Sequence, residues 1–440
     1  MKPTKYRYLV IFMVLLIMVV NYIDRGALAY AQHDIINEYG LTAAQWGTIQ
    51  GFFGYGYIFG GLIGGALADK KGPRFVWLTF VTLWSVCVAL TAFAGDLSAA
   101  LFGGSAMMGF FIVRSLFGFS EGPSFVAMSR TLANWVSPGE RTFTSSITLL
   151  GTPLGALITA PLTVFLLSIS NWRVTLILLG LLGFVWVIVF AKIFTNTPEE
   201  HPSVNDAERN LISQGNLPAT KHAELISERH GAWRGFFANP SYLFNTAGFF
   251  GISYILFMLL TWTPKYLQDA YGMSLSSLWY LGMIPWIGPL FTTPLGGKAA
   301  DYLFKKTGNL RLARNSVAVV SLSGAGLCFL SIPYVESLSG ALLAIALGNS
   351  FALASNSIYW SNLIDINPRR TGTYGGIMHF LGQIAAMLAP TLTGVLVSAY
   401  GYPAGFIAAG TICLMATFCA AKVKFSPEAT EPKTSTRSAH

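Results

Sequence analysis

The chain alternates between long apolar segments and short polar connections. Each apolar segment has at least the roughly 20 residues that an α-helix needs to cross the hydrocarbon core of a bilayer. The segments occupy residues 8–30, 45–68, 75–95, 101–129, 142–168, 173–195, 241–268, 276–300, 313–333, 338–363, 373–398 and 403–422. This pattern predicts an all-α integral membrane protein with twelve transmembrane helices.

A long polar stretch between the sixth and seventh segments divides the helices into two sets of six. We therefore predict an N-terminal six-helix bundle over residues 1–195, a cytoplasmic central loop over 196–238 and a C-terminal six-helix bundle over 239–423. Residues 424–440 are polar and poor in apolar side chains, so we expect a disordered tail there.

Composition and charge support a membrane protein with a defined orientation. Only 11% of the residues are charged, compared with about 25% in soluble domains. The net charge of +9 does not indicate a nucleic-acid partner, because the cations cluster in alternate connections. The connections at 33–44, 94–99 and 398–404 have none, and Arg173 and Lys265 are the exceptions. This positive-inside pattern predicts a multi-pass protein of the inner (plasma) membrane with both termini in the cytoplasm.

Enzymatic and metal chemistry have no support in the sequence. The four cysteines all lie in apolar segments, and they form neither a CxxC motif nor a metal-type spacing. The chain also lacks a nucleophile elbow and a cofactor-binding loop. We therefore expect no enzyme activity, no cofactor and no metal.

Four ionisable residues lie inside apolar segments of the first half. Asp24 and Arg25 are adjacent in the first segment, and Arg114 and Glu121 belong to the fourth. A charge at membrane depth costs at least about 2.5 kcal/mol, so such residues usually face a protein interior or an aqueous path. They predict a charged substrate and a titratable gate.

The two halves share a motif in the loop that follows their second helix. The first copy has Gly65, Asp69, Gly72 and Arg74, and the second copy repeats the glycine-to-aspartate spacing at Asp301, again with a basic cluster. A repeat at the same place in both halves predicts two pseudo-symmetric bundles. We expect these loop residues to latch helices at the cytoplasmic side.

The first of these loops resembles the signature loop of the major facilitator superfamily, G-x-x-x-D-[RK]-x-G-x-R. Three further stretches resemble its anion:cation symporters, such as hexuronate, galactonate, glucarate and phthalate permeases and sialin-type transporters. They are NYIDR at residues 21–25, RSLFGFSEGPSF at residues 114–125, and PEEHP at residues 198–202 with Glu208 downstream. The resemblance implies transport of an organic anion, with arginines of the first and fourth helices at the anion and the neighbouring acids in proton coupling.

Arg25 and Arg114 are the candidate substrate clamps. A planar guanidinium gives a carboxylate two parallel hydrogen bonds. Arg114 and Glu121 are seven residues apart, which places them on one helix face about 10 Å apart along the axis. The alternative is that each arginine only neutralises a nearby acid.

Asp24 and Glu121 are the candidate proton carriers. Burial raises the pKa of a carboxyl group and a nearby cation lowers it, so an acid beside an arginine can be set near the working pH. The alternative is a static ion pair with Arg25 or Arg114.

Neutral polar side chains are expected to complete the substrate site: Tyr22, Tyr57 and Thr152 in the first half, and Asn356, His379 and Gln383 in the second. His379 and Gln383 are four residues apart and share a helix face. His379 has two alternative roles, a structural one and proton movement, because an unperturbed histidine has a pKa of about 6.5.

These features together predict a monomeric, proton-coupled symporter for a small organic anion. A sugar acid (aldonate, hexuronate or aldarate) is the favoured substrate, and the expected partners are that anion, protons and the lipid bilayer. An aromatic or dicarboxylic acid permease is the nearest alternative. An organophosphate antiporter is disfavoured because the second half has no deep arginine, and a non-transporting sensor because no signalling domain is attached.

Overall fold

A computed structural model of the chain describes residues 2–101, 105–137, 141–213, 232–366 and 371–425. Within these ranges every regular element is a helix. The predicted tail lies outside the described residues from residue 426 onward.

The first half contains six membrane-spanning helices. They are α1 (Tyr6–Tyr39), α2 (residues 43–71), α3 (residues 73–101), α4 (Met107–Glu121 and Ser124–Trp135), α5 (Arg141–Leu149 and Gly151–Ile169) and α6 (Trp172–Ile193). Helices α2 and α3 form one run, Ala43–Leu101, that is interrupted only by Gly72 with φ 82° and ψ 162°. This left-handed backbone favours glycine, so Gly72 is the hinge between the two helices.

The second half repeats the plan. Its helices are α7 (Pro240–Tyr271), α8 (Leu275–Leu281 and Ile284–Thr307), α9 (Leu310–Ser331), α10 (Leu338–Ala354 and Asn356–Ile366), α11 (Thr371–Gly382 and Ile384–Tyr400) and α12 (Tyr402–Lys422). Between the halves, the chain forms a 3₁₀ turn (Pro198–Glu200) and two short helices (Asp206–Ser213 and Ala232–Ala238).

The predicted twelve helices are confirmed, but several of their ends differ from the prediction. Among the described residues, nine segments have both the length and the composition of a membrane span. The other three helices are α2, α4 and α8. Helix α1 continues to Tyr39 instead of residue 30, and α4 covers 107–135 instead of 101–129. Hydropathy marks the part of a helix at membrane depth, and not where its hydrogen bonding stops.

Helix α2 uses glycines to approach two neighbours closely. Three of them face α4 and three face α11: Gly56, Gly60 and Gly64, and Gly47, Gly51 and Gly54, respectively. A Cβ atom at Gly56 would lie 1.8 Å from the carbonyl oxygen of Ser115, and one at Gly54 would lie 2.3 Å from the backbone nitrogen of Met387. Small residues allow such backbone contact between membrane helices. Helix α2 is therefore held between its own half and the other.

The two halves meet most closely on the side of the membrane domain that lies opposite residues 196–213. We call the side that carries residues 196–213, the start of α1 and the end of α12 the linker face. On the opposite face, the backbone nitrogen of Ala44 in α2 donates to Ser398 Oγ in α11 at 2.8 Å. On that face too, Tyr30 of α1 contacts Gly282 of α8, where a Cβ atom would lie 2.2 Å from the tyrosine hydroxyl.

The two cations that break the charge pattern are neutralised on the opposite face. Arg173 contacts Glu38 Oε1 at 2.5 Å and Asp96 Oδ2 at 2.9 Å. Lys265 contacts Asp269 Oδ2 at 2.9 Å. Because each cation has an acid beside it, neither adds a net positive charge to that face.

On the linker face, Glu208 caps the beginning of α1. Its side chain is 0% exposed and accepts hydrogen bonds from the Thr4 hydroxyl, from the backbone nitrogens of Tyr6 (2.9 Å) and Arg7 (3.2 Å), and from Arg7 Nη1 (3.0 Å). His201 stacks on the Tyr6 ring with 4.2 Å between centroids. A helix N-terminus has unpaired N–H groups and attracts a carboxylate. The segment after α6 therefore acts as a cap for α1.

The signature loop is bound to the same segment. Asn196 Oδ1 accepts from the backbone nitrogen of Arg74 at 3.0 Å, and Arg74 Nη2 donates to the carbonyl oxygen of Ala191 at 2.6 Å. A Cβ atom at Gly72 would lie 2.4 Å from Asn196 Oδ1. These contacts join the start of α3 to the end of α6.

The remaining loop residues have different surroundings. Gly65 has ordinary space, with Val126 Cγ1 3.6 Å from a Cβ position. In the second copy of the motif, Asp301 pairs with Arg314 at 3.7 Å and connects α8 to α9. The side chain of Asp69 lies outside the described part of the chain, so its latching role stays a prediction.

Glu208→Ala should destabilise the first half by about 3 kcal/mol, because it removes a buried acceptor of charge-assisted hydrogen bonds. Thermal unfolding of the purified protein in detergent measures the effect. Glu199→Ala is the matched control, since Glu199 is an exposed acid of the same segment. An equal loss in both variants would contradict the capping role.

The contribution of Glu208 should also depend on pH. Burial alone would raise the pKa of this carboxyl, but the hydrogen bonds from Thr4, Tyr6 and Arg7 hold the pKa below its usual value. A lowered folded-state pKa stabilises fully above the unfolded value of about 4.3 and is lost as the pH falls through the folded value. The difference in melting temperature between wild type and Glu208→Gln should therefore shrink below about pH 4.3.

Candidate functional site

A buried ion pair joins α1 to α4 near the middle of the first half. Arg25 Nε lies 2.5 Å from Glu121 Oε2, and both side chains are almost completely buried. Glu121 is the last residue of the first α4 segment, immediately before the break at Gly122 and Pro123. Its second oxygen, Oε1, has no hydrogen-bond partner in the described chain. This oxygen can accept a proton or a further hydrogen bond.

Aromatic rings surround the Arg25 guanidinium. Its Cζ atom lies 4.8 Å from the ring centre of Tyr22, 5.1 Å from that of Phe53 and 4.7 Å from that of Tyr57. Cation–π contact stabilises a desolvated arginine. The hydroxyl of Thr152 in α5 lies beside the Tyr22 phenol. The structure thus brings Tyr22, Tyr57 and Thr152 together around Arg25, and their part in substrate binding stays a prediction.

Arg114 is a buried cation of a different kind. It is 5% exposed and makes no ion pair or hydrogen bond within the described residues. Its Cζ atom instead lies 5.3 Å from the ring centre of Phe53 and 5.1 Å from that of Phe117. A buried charge without a counter-charge is costly. Arg114 is therefore a buried cation that forms no ion pair within the described residues.

Asp24 is separate from this cluster although it is next to Arg25 in the chain. Consecutive residues point about 100° apart around a helix, and Asp24 faces the indole of Trp84 in α3. Asp24 is 2% exposed, and neither of its carboxylate oxygens has a hydrogen-bond partner in the described chain. Within the described residues, Asp24 is therefore a buried acid that does not form the static ion pair with Arg25 or Arg114 considered as the alternative.

His379 of α11 connects the second half to the cluster. Its ring lies 6.2 Å from Tyr57 and 6.0 Å from Phe125, both in the first half. On its own side it lies 6.3 Å from Phe249 and 6.1 Å from Trp360. Tyr57 thus lies between His379 and the Arg25 guanidinium.

The predicted His379–Gln383 pair also forms in the structure. Gln383 Nε2 lies 3.4 Å from His379 Nε2, and Gln383 Oε1 has no partner in the described residues. No contact joins Asn356 to this pair in the part of the chain that is described. Asn356 begins the second segment of α10 one turn before Trp360, so the two share a helix face.

A buried amide pair holds this α10 segment against α7. Asn245 Nδ2 donates to the carbonyl oxygen of Tyr359 at 2.9 Å, and Asn362 Nδ2 donates to Asn245 Oδ1 at 2.9 Å. Buried amides need such partners. The pair positions the segment that carries Trp360.

Comparison with known proteins identifies the family. A profile of the Major Facilitator Superfamily matches residues 14–390. The chain belongs to this superfamily. It is a multi-pass membrane transporter, and the resemblance in its signature loop is confirmed.

Curated relatives of this superfamily member carry the names of organic-anion transporters. It is 30% identical over 413 residues to a hexuronate transporter of Bacillus subtilis, and the alignment covers 93% of this chain and 92% of the relative. It is 29% identical to a probable sulfoacetate transporter of Cupriavidus necator (93% and 91% covered). It is also 29% identical to a probable galactarate/D-glucarate transporter of Escherichia coli K12 (94% and 93% covered).

Among solved structures, a bacterial homologue of the human lysosomal transporter Spinster, in an inward-facing and unoccupied conformation, has a TM-score of 0.75. The match covers 96% of this chain and 99% of that one at 18% identity. This likeness supports the fold.

Five aromatic residues around these groups were missed by reasoning from the sequence: Phe53, Phe117, Phe125, Phe249 and Trp360. Aromatic residues are frequent throughout the apolar segments, so their type alone did not distinguish them. Spacing offers a signal, because Phe53 is one turn before Tyr57 and Trp360 is one turn after Asn356. Trp360 is 41% exposed and is the large apolar surface beside His379.

Arg114→Lys should weaken binding of a carboxylate substrate about tenfold or more, because an ammonium cannot reproduce the planar fork. Equilibrium binding to the purified protein measures the effect. Arg130→Lys, on the same helix beyond the cluster, is the matched control. Wild-type affinity in Arg114→Lys would show that this arginine is not a clamp.

Proposed function

We propose that the protein is a proton-coupled symporter for a small organic anion, with a sugar acid such as an aldonate, hexuronate or aldarate as substrate. The observation that carries the proposal concerns Arg114. This arginine is buried, forms no ion pair of its own, and lies next to the aromatic-lined ion pair of Arg25 and Glu121. The names of the hexuronate and galactarate/D-glucarate relatives support the substrate class.

In this proposal Arg114 binds the substrate carboxylate. Arg25 also binds the carboxylate once its ion pair with Glu121 is broken. His379, which is half-buried, and Gln383, which is buried, contact the hydroxylated part of the substrate. Trp360 provides a flat apolar surface for its carbon chain. The sulfoacetate relative favours a second candidate substrate, a short sulfonate, for which the hydroxyl contacts are dispensable.

Protons enter through Glu121 and Asp24. A proton on Glu121 cancels its attraction to Arg25, so the guanidinium becomes available to the anion. Asp24 is the second buried carboxyl group. Unlike Glu121 it forms no ion pair, and it can hold a second proton. Uptake of an anion against a negative-inside potential requires such cations, since one charge corresponds to about 2.3 kcal/mol per 100 mV.

Alternating access would follow from rocking of the two halves. The proposal places the linker face in the cytoplasm, in agreement with the positive loops, and treats the monomer as the unit of transport. The close contact of α2 with α11 on the opposite face would then separate when the carrier opens outward.

Counterflow in proteoliposomes tests the function. Vesicles loaded with unlabelled D-glucuronate, galactarate, D-galactonate or sulfoacetate are diluted into the matching labelled compound, with D-glucose as the neutral control. Accumulation of at least one sugar acid without glucose is expected. Accumulation of sulfoacetate alone would replace the sugar acid by a sulfonate, and accumulation of none would overturn the proposal.

Neutral replacements of the acids should separate coupling from binding. Glu121→Gln and Asp24→Asn should abolish accumulation driven by a pH gradient, while at least one of them should retain counterflow, which needs no net proton movement. Both assays use the same proteoliposomes. Continued uphill accumulation in both variants would mean that the acids are structural, and His379 would be the next residue to test.

His379→Asn and Gln383→Ala should change the order of preference among D-glucuronate, galactarate and D-galactonate more than they change the pH profile. The reason is that the pair offers neutral hydrogen-bonding groups next to Trp360. Competition uptake at several pH values measures both quantities. A moved pH optimum with an unchanged order of preference would assign His379 to proton coupling instead.

A further inference from the structure

One residue of α2 contacts both arginines of the candidate site. The ring centre of Phe53 lies 5.1 Å from Arg25 Cζ and 5.3 Å from Arg114 Cζ. Phe53 is 2% exposed. Tyr57 also contacts Arg25 and Phe117 also contacts Arg114, but among the described residues Phe53 is the ring that both guanidiniums share.

Gly118 explains how this ring reaches its place. Gly118 lies between Arg114 and Glu121 on α4, and a Cβ atom there would lie 1.9 Å from the carbonyl oxygen of Phe53. The space left by the missing side chain is therefore filled by the backbone of α2. As a result, α2 crosses α4 at the level between the cation and the acid.

The crossing has a consequence for the pairing of charges. Arg114 and Glu121 are two turns apart on one face, about 10 Å along the axis, a gap that two long side chains bending toward each other can largely close. The structure instead pairs Glu121 with Arg25 and leaves Arg114 on aromatic faces. An ion pair between Arg114 and Glu121 would occupy the donors that the substrate needs.

We propose that Phe53 is a positioning residue that keeps Arg114 from pairing with Glu121 and so holds its donors available for the substrate anion. The part that concerns the substrate rests on the proposed function. Contact with the ring and anion binding are compatible, because a phenylalanine ring has no oxygen or nitrogen atom that would occupy the N–H donors of the guanidinium. The same ring therefore supports Arg114 before and after the anion binds.

The first test compares side chains that keep or remove the aromatic face. Phe53→Leu should raise the Kd of whichever anion shows counterflow in wild type by about tenfold, the loss expected for a desolvated cation–π contact. Phe53→Tyr should restore the affinity, and kcat should change less than KM. Phe52→Leu is the matched control, because Phe52 stacks on Phe111 and contacts neither guanidinium. Unchanged affinity in Phe53→Leu would overturn the inference.

The second test needs no substrate. Melting temperatures of wild type, Phe53→Leu, Arg114→Gln and the double variant form a cycle that measures the coupling between ring and cation. The expected result is a double variant that loses clearly less than the sum of the single losses. Additive losses would overturn the inference, even if wild type transports a sugar acid. A wild type without counterflow would refute the proposed function alone, since the cycle still decides the role of Phe53.

Discussion

The structure depends on how it accommodates charge at membrane depth. Arg25 and Glu121 solve the problem by pairing at 2.5 Å, with the remaining face of the guanidinium covered by aromatic rings. Arg114 contacts rings and forms no ion pair, and Asp24 has neither an ion pair nor a hydrogen bond among the described residues. Two of the four charges are thus paired with each other, and the other two form no ion pair within the described residues.

Helix α2 connects this site to the contact between the halves. Phe53 and Tyr57 cover the arginines on one side of the helix, whereas Gly47, Gly51 and Gly54 lie against α11 on another. Glycines permit this closeness because no side chain separates the backbones. A rotation of α2 relative to α11 would therefore move the rings that contact the two guanidiniums.

The segment after α6 connects helix ends of the first half that are far apart in the chain. Glu208 binds the start of α1, and Asn196 binds the start of α3. Trp135 at the end of α4 donates to the carbonyl oxygen of Thr195 at 3.0 Å. With these ends joined, the helices that carry Arg25 and Glu121 are held in a common frame, so their short ion pair is maintained by contacts far from it.

The sequence by itself determined the number of spans, the division into halves and the identity of the charged residues, because hydropathy and the cost of buried charge act on each residue regardless of its neighbours. Helix ends were less predictable, as α1 and α4 show, because hydrogen bonding continues beyond the apolar region. Only the tertiary structure decided which charges pair. Glu121 is bound by Arg25, 96 positions away in the chain, and not by Arg114 seven positions away. The crossing of α1 brings the Arg25 side chain directly alongside Glu121, whereas Arg114, two turns away on the same helix, lies against the rings of Phe53 and Phe117. The same reason explains Phe53 and Trp360, whose roles arise from the crossing of helices.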